Sequence, residues 1–102
     1  MSIATLTLLA PAALEEQIAD LLLAEDSIAR AGFTARDVRG HGEAATYHSV
    51  VEKIRGFTRL VEIVVTAPES DIQGVLATLK ELFPDRGINY RIMPVLASDM
   101  LC

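Results

Sequence analysis

The sequence predicts an α+β fold: a βαββαβ chain with a four-stranded antiparallel sheet and two helices on one face. Two apolar runs of strand character, at residues 2–10 and 57–67, are each followed by a proline and then by an apolar stripe of helical period. The two halves of the chain repeat this order. A chain of 102 residues has the length of one domain, so we expect a single domain over residues 1–102.

The first half begins with a strand over residues 2–10 (SIATLTLLA), which carries apolar side chains on both faces, as a central strand does. Pro11 ends this strand and suits the first turn of a helix. Residues 12–29 predict one helix, because Leu14, Ile18 and Leu22 recur on one face. Gly32 is a typical helix stop.

A weaker strand follows over residues 33–39 (FTARDVR), with charges that suggest one exposed face. The next stretch, residues 40–56 (GHGEAATYHSVVEKIRG), is polar and bracketed by glycines. Hairpins need only two to five connecting residues, and long insertions in compact domains are usually functional. This stretch is therefore either the working part of the protein or an exposed loop of no consequence. Apolar spacing within it predicts a short helix over residues 47–55.

The second half opens with the strongest strand, residues 57–67 (FTRLVEIVVTA), which is rich in β-branched side chains. Glu62 interrupts it, and we expect its carboxylate to pair with a cation or to lie at an edge. A second helix follows Pro68, residues 84–87 predict a turn, and residues 88–96 predict the last strand. Residues 97–102 are a C-terminal tail.

An internal repeat supports this division. Ala10-Pro11 and Ala67-Pro68 each stand between a strand and a helix. The repeat equates several positions in the two halves: Leu6 with Ile63, Leu8 with Val65, Ile18 with Val75, Leu22 with Leu79, and Phe33 with Tyr90. Two strand–helix–strand halves combine in the ferredoxin-like arrangement, which leaves one sheet face uncovered. Packing that face against other copies of the chain is the simplest way to bury it.

Charge and composition exclude some functions. The formal net charge is −5 and no stripe of Lys and Arg is present, so nucleic-acid binding is not expected. The N-terminal stretch lacks the basic region of a signal peptide and is too short to span a membrane, which predicts a cytoplasmic protein without direct membrane insertion. The single cysteine, Cys102, cannot form a disulfide within one chain.

Several motifs resemble those of the PII superfamily of trimeric signalling proteins. They are Gly32-Phe33-Thr34, the run DVRGHG over residues 37–42, Tyr47, the Arg55-Gly56 pair and the run EIVV over residues 62–65. GHG together with INYRIMPVL over residues 88–96 is similar to a PII-like family of uncharacterised proteins, often encoded beside heavy-metal efflux pumps. The resemblance covers most of the chain.

The resemblance implies a non-enzymatic homotrimer that binds an adenine nucleotide (ADP, AMP or ATP) or another small anion between subunits. Residues 40–56 would be its T-loop, which controls a partner such as a membrane transporter or efflux pump. Carried over by position, the binding residues are Thr34, Gly40, His41, Gly42, Gly87 and Arg91. Arg39 and Arg59 would add charge-assisted bonds to phosphate or carboxylate. The second phosphate-binding loop of PII proteins keeps one glycine here, Gly87, so the identity of the anion stays open.

A metal site is the alternative. His41 and His48 lie in one loop, and imidazole is a ligand for copper, zinc and nickel. Their spacing is not the four-residue spacing of a local helical site, so such a site would assemble across a trimer or from the loop and the C-terminal tail together. The protein would then be a trimeric metal-binding protein related in shape to CutA. No nucleophile, base or carboxylate pair is placed together by the sequence, so we do not expect an enzyme.

Overall fold

A computed structural model describes residues 2–42 and 57–101, and these form the predicted fold. The strands are β1 (Ile3–Pro11), β2 (Phe33–Gly40), β3 (Thr58–Pro68) and β4 (Asn89–Val95). They form one antiparallel sheet in the order β2-β3-β1-β4. The helices are α1 (Glu15–Leu23), α2 (Asp26–Ala31) and α3 (Glu69–Leu82), with a 3₁₀ turn at Ala12–Leu14 before α1. None of the described helices is long and apolar enough to cross a membrane.

The pairing of β1 with β3 forms the centre of the sheet. Its register runs from Ile3 opposite Pro68 to Pro11 opposite Leu60. Every second residue of both strands is buried against the helices: Ala4, Leu6, Leu8, Ala10, Val61, Ile63, Val65 and Ala67. They share one core with apolar residues of the helices, among them Ile18, Leu22, Ile28, Ile72, Val75 and Leu79. The predicted packing of the helices on one face of the sheet is therefore confirmed.

The opposite side of the sheet, which we term the open face, presents the alternate residues of the strands. On the two central strands these include Thr5, Thr7, Leu9, Glu62, Val64 and Thr66. The hydroxyls of Thr5 and Thr66 lie 2.8 Å apart in a hydrogen bond. Arg36 Nε donates to Glu62 Oε1 at 2.8 Å, which confirms the prediction that Glu62 pairs with a cation. No described helix covers the partly buried side chains of this face.

The prediction of one helix over residues 12–29 is wrong. The chain forms the 3₁₀ turn and α1, then leaves helical geometry at Glu25, which has φ −88° and ψ 114°, before α2 begins. The apolar stripe of α1 ends at Leu22, and a continuous helix would turn Glu25 or Asp26 toward the sheet. Breaking the helix keeps both acids exposed and places Ile28 in the core.

The repeat predicted from the sequence holds in the core and fails at one edge. Its paired core positions are buried in both halves. Phe33 packs against the core, whereas its counterpart Tyr90 is 50% exposed. The first half has α2, which packs on β3, but no helix stands at the equivalent place between α3 and β4. Because α3 lies mainly on β1 and β3, it leaves β4 partly uncovered around Tyr90, although Ile92 packs against the core.

We expect replacement by alanine to change the free energy of unfolding in opposite directions at two glycines, Gly32 and Gly74. A Cβ atom would meet nothing within 4 Å at Gly32 or at Gly74. Gly32 has φ 81° and ψ 171°, a conformation that only glycine adopts readily, whereas Gly74 lies within α3. Gly32→Ala should lower the free energy of unfolding by about 1–3 kcal/mol. Gly74→Ala should raise it by about 1 kcal/mol. Urea unfolding at one protein concentration measures both, and equal effects would contradict this difference in backbone geometry.

Candidate functional site

The candidate site lies where β2 ends and β3 begins, on either side of residues 43–56, which lie outside the described residues. The register places Arg39 directly opposite Arg59, and Gly40 opposite Thr58. Direct cross-strand partners lie on the same sheet face, so the two arginine side chains leave the sheet on the same side. Two guanidinium groups on one side of the sheet are suited to donate charge-assisted hydrogen bonds to the same anion.

Phe57 links the two sides of this loop base. The Arg39 guanidinium carbon lies 5.3 Å from the centroid of the Phe57 ring, in cation–π geometry. The His41 ring lies 5.9 Å from the same ring, tilted by 47°. Residues from the end of β2 are thereby held against the residue that precedes β3. Phe57 was not among the residues predicted for the site. The signal that could have identified it is its place directly after the closing glycine, Gly56.

A surface groove of about 470 Å³ opens beside this cluster. It is lined by Ala12, Asp37, Val38, Arg39, Phe57, Arg59 and Leu60. Both facing arginines and the aromatic ring therefore border one open space. The Asp37 carboxylate also borders it, so an anion in the groove is favoured at the arginine end and disfavoured near Asp37. The arrangement suits a ligand with a negative group and a flat or apolar portion.

The two glycines of the predicted GHG base have different structural roles. A Cβ on Gly40 would lie 2.7 Å from Leu60 Cδ1, so the missing side chain makes room for the Leu60 side chain. Gly42 has φ 111°, which side-chain-bearing residues rarely adopt. Backbone without side chains can also approach an anion closely. The glycine pair therefore fits both a structural turn and a binding role.

The predicted binding residues fall into separate groups. Arg39, Gly40, His41, Gly42 and Arg59 come together at the loop base. Gly87 lies at the same end of the sheet but beside the end of β1, since a Cβ there would be 3.9 Å from Pro11 Cγ. It is therefore near the β4 edge, whereas the loop base is at the β2 edge.

Thr34 and Arg91 lie away from the loop base, on the opposite sheet face. Six residues along β2 separate Thr34 from Gly40, a distance of about 20 Å. Thr34 faces Val64, Val64 faces Thr7, and Thr7 faces Arg91, so one row crosses the sheet from edge to edge. The two ends of that row are about 14 Å apart. A small ligand therefore cannot contact all the predicted residues within a single chain.

The metal alternative gains no support from the described residues. Within residues 2–42 and 57–101, no group of three or more His, Cys, Asp and Glu side chains comes together. His41 lies against Phe57. The other predicted ligand, His48, lies outside the described residues.

Comparison with known proteins identifies both a family and a fold. A family model described as a protein of unknown function, DUF3240, matches residues 1–101. The crystal structure of a DUF3240 family protein from Shewanella baltica OS155 has a TM-score of 0.78 and 18% identity, and the match covers 100% of this chain and 99% of that one. No curated protein is similar enough in sequence to match.

Two PII-like structures are also similar in fold. CPII from Thiomonas intermedia K12, described as a nitrogen regulatory PII-like protein bound to ADP, AMP and bicarbonate, has a TM-score of 0.70 and 17% identity, with 98% of each chain covered. GlnK from B. subtilis has a TM-score of 0.66 and 13% identity, covering 94% of this chain and 87% of that one. At these identities the likeness concerns the fold.

Proposed function

The chain belongs to the DUF3240 family and has the fold of PII-like proteins, and from this premise we propose that it is a non-enzymatic regulatory protein that senses a small anionic effector. The observation that carries the proposal is the pair of facing arginines, Arg39 and Arg59, beside the Phe57 ring at the loop base. The effector class is an adenine nucleotide or another small anion such as bicarbonate, the ligands described for CPII.

The effector would bind between chains of a homotrimer. The open face carries partly buried apolar side chains such as Leu9 and Val64, which no described element covers. Burying this face against other copies removes apolar surface from water at roughly 25 cal/mol per Å². Closed symmetry would bring the β2 edge of one chain toward the β4 edge of the next, and so place the loop base near the groups around Gly87 and Arg91.

The signal would pass through residues 40–56. Since Arg39, His41 and Phe57 pack together at the base of this segment, an anion that draws Arg39 toward itself changes the contacts that hold both ends. Coupling a ligand to the conformation of a loop is a common switching device. The partner we propose is a membrane transporter or efflux pump reached from the cytoplasm, as the resemblance to PII proteins implies.

Titration calorimetry with ADP, AMP and bicarbonate tests the effector. We expect wild-type protein to bind at least one of them, and Arg39→Gln to weaken that binding about tenfold or more, because a charge-assisted hydrogen bond is lost. Arg30→Gln is the matched control, since Arg30 is exposed on α2 outside the groove. Absence of heat and of any thermal shift with all three compounds would contradict the effector proposal. Binding of Cu²⁺, Zn²⁺ or Ni²⁺ that is lost in His41→Ala would favour the metal alternative.

Light scattering after size exclusion tests the assembly. The wild-type protein should have three times the mass of one chain. Val64→Glu should yield folded monomers, because it places a charge at the centre of the open face, opposite Thr7 and Thr34. Leu23→Glu, at an exposed position of α1, should leave the trimer intact. Wild-type monomers, or a Val64→Glu trimer, would contradict assembly through this face.

A further inference from the structure

The part of β4 around Tyr90, which α3 leaves partly uncovered, borders an apolar groove together with α3. Its described lining is Leu8, Leu76, Leu79, Lys80, Phe83, Ile88 and Tyr90, around a cavity of about 60 Å³. The first half of the chain fills the corresponding region with α2 and Phe33. In the second half no described helix does so: Phe83 and Ile88 pack against the core only partly buried, and Tyr90 remains half exposed. The groove is thus the place where the second half lacks the helical covering of the first.

The segment that follows β4, residues 96–101, carries large apolar side chains that are exposed to solvent. It forms neither helix nor strand. Leu96 and Leu101 are fully exposed, and Met100 is 78% exposed. Three large apolar side chains within six residues, none covered by its own chain, form an apolar patch that is typical of a contact with another molecule.

The position of this tail favours the groove of another copy over its own. Val95, the last residue of β4, lies opposite Ile3, whereas Tyr90 in the groove lies opposite Leu8. The tail therefore leaves the sheet about 17 Å from the groove. Leu96 follows the strand directly, so it cannot turn back to its own groove. A second copy can present the same residue without any reversal of the chain.

Charge is complementary between the two surfaces. Lys80 is the charged residue in the described lining of the groove, and its Nζ lies 5.2 Å from the centroid of the Tyr90 ring. Asp99 is the charged residue of the segment 96–101. An apolar segment with one acid matches an apolar groove with one base at its rim.

We propose that residues 96–101 of one copy dock in the α3–β4 groove of a second copy, with Leu96, Met100 and Leu101 as apolar anchors and Asp99 paired with Lys80. The proposal rests on the proposed function only in requiring that copies of the chain associate. The contact would supply in trans the covering that α2 supplies in the first half.

Photo-crosslinking between isotopically distinct chains tests this docking. Chains carrying p-benzoylphenylalanine in place of Met100 are ¹⁵N-labelled, unfolded together with unlabelled wild-type chains, refolded and irradiated. Mass spectrometry should identify peptides that join the labelled tail to unlabelled residues 76–90. The same crosslinker in place of Leu23, an exposed leucine on α1, should give no such pairs.

Charge reversal makes the test specific. Lys80→Glu should lower the yield of crosslinks between chains about threefold, as expected for an exposed ion pair. When both chains also carry Asp99→Lys, the ion pair is re-formed with its charges exchanged, and the crosslink yield should return to that of the wild type. Crosslinks confined to one chain, or directed outside both residues 76–90 and Leu8, would overturn the docking. If that happens in a protein that remains trimeric, the proposed function survives; if wild-type chains stay monomeric, both proposals fail.

Discussion

The antiparallel pairing of β1 with β3 is the constraint on which the rest of the molecule depends. Its register places Pro11 and Pro68 at opposite ends, so that a helical segment begins where each central strand stops. At one end, the start of β3 meets the end of β2 at the loop base. At the other end, β4 ends at Val95 opposite Ile3, and the C-terminal tail begins there. Since the helices cover one face of this pair, the opposite face is left uncovered by the described helices.

The same geometry explains why a binding site would form at the loop base. Pairing of β2 with β3 forces Arg39 and Arg59 to face each other, and the absence of a side chain at Gly40 allows Leu60 to approach closely. Phe57 then holds Arg39 and His41 in place. Both arginines border one groove beside the aromatic ring, so an anion bound there could accept charge-assisted hydrogen bonds from both. Assembly and effector binding are therefore linked in our proposal, because the remaining predicted residues lie toward the other edge of the sheet.

Much of this architecture could be predicted from the sequence. The spacing of apolar residues, every second residue in strands and every three or four in helices, follows which side chains are buried. The apolar runs at residues 2–10 and 57–67 predicted the central strands, and the fold that the PII-like resemblance implied is confirmed by the solved structures. The break at Glu25 was missed because nothing local forbids a helix there; the burial of Ile28 against the sheet decides it. The role of Phe57 and the exposure of Tyr90 depend on contacts distant in sequence, which periodicity does not record.

A crystal structure of the chain grown with ADP and bicarbonate tests the central claim most directly. Our account predicts three copies related by a threefold axis with their open faces buried. It also predicts the anionic group of the ligand between two copies, within hydrogen-bonding distance of Arg39 or Arg59 of one of them. A ligand bound within a single chain away from the loop base, or copies that associate through their helices, would contradict it.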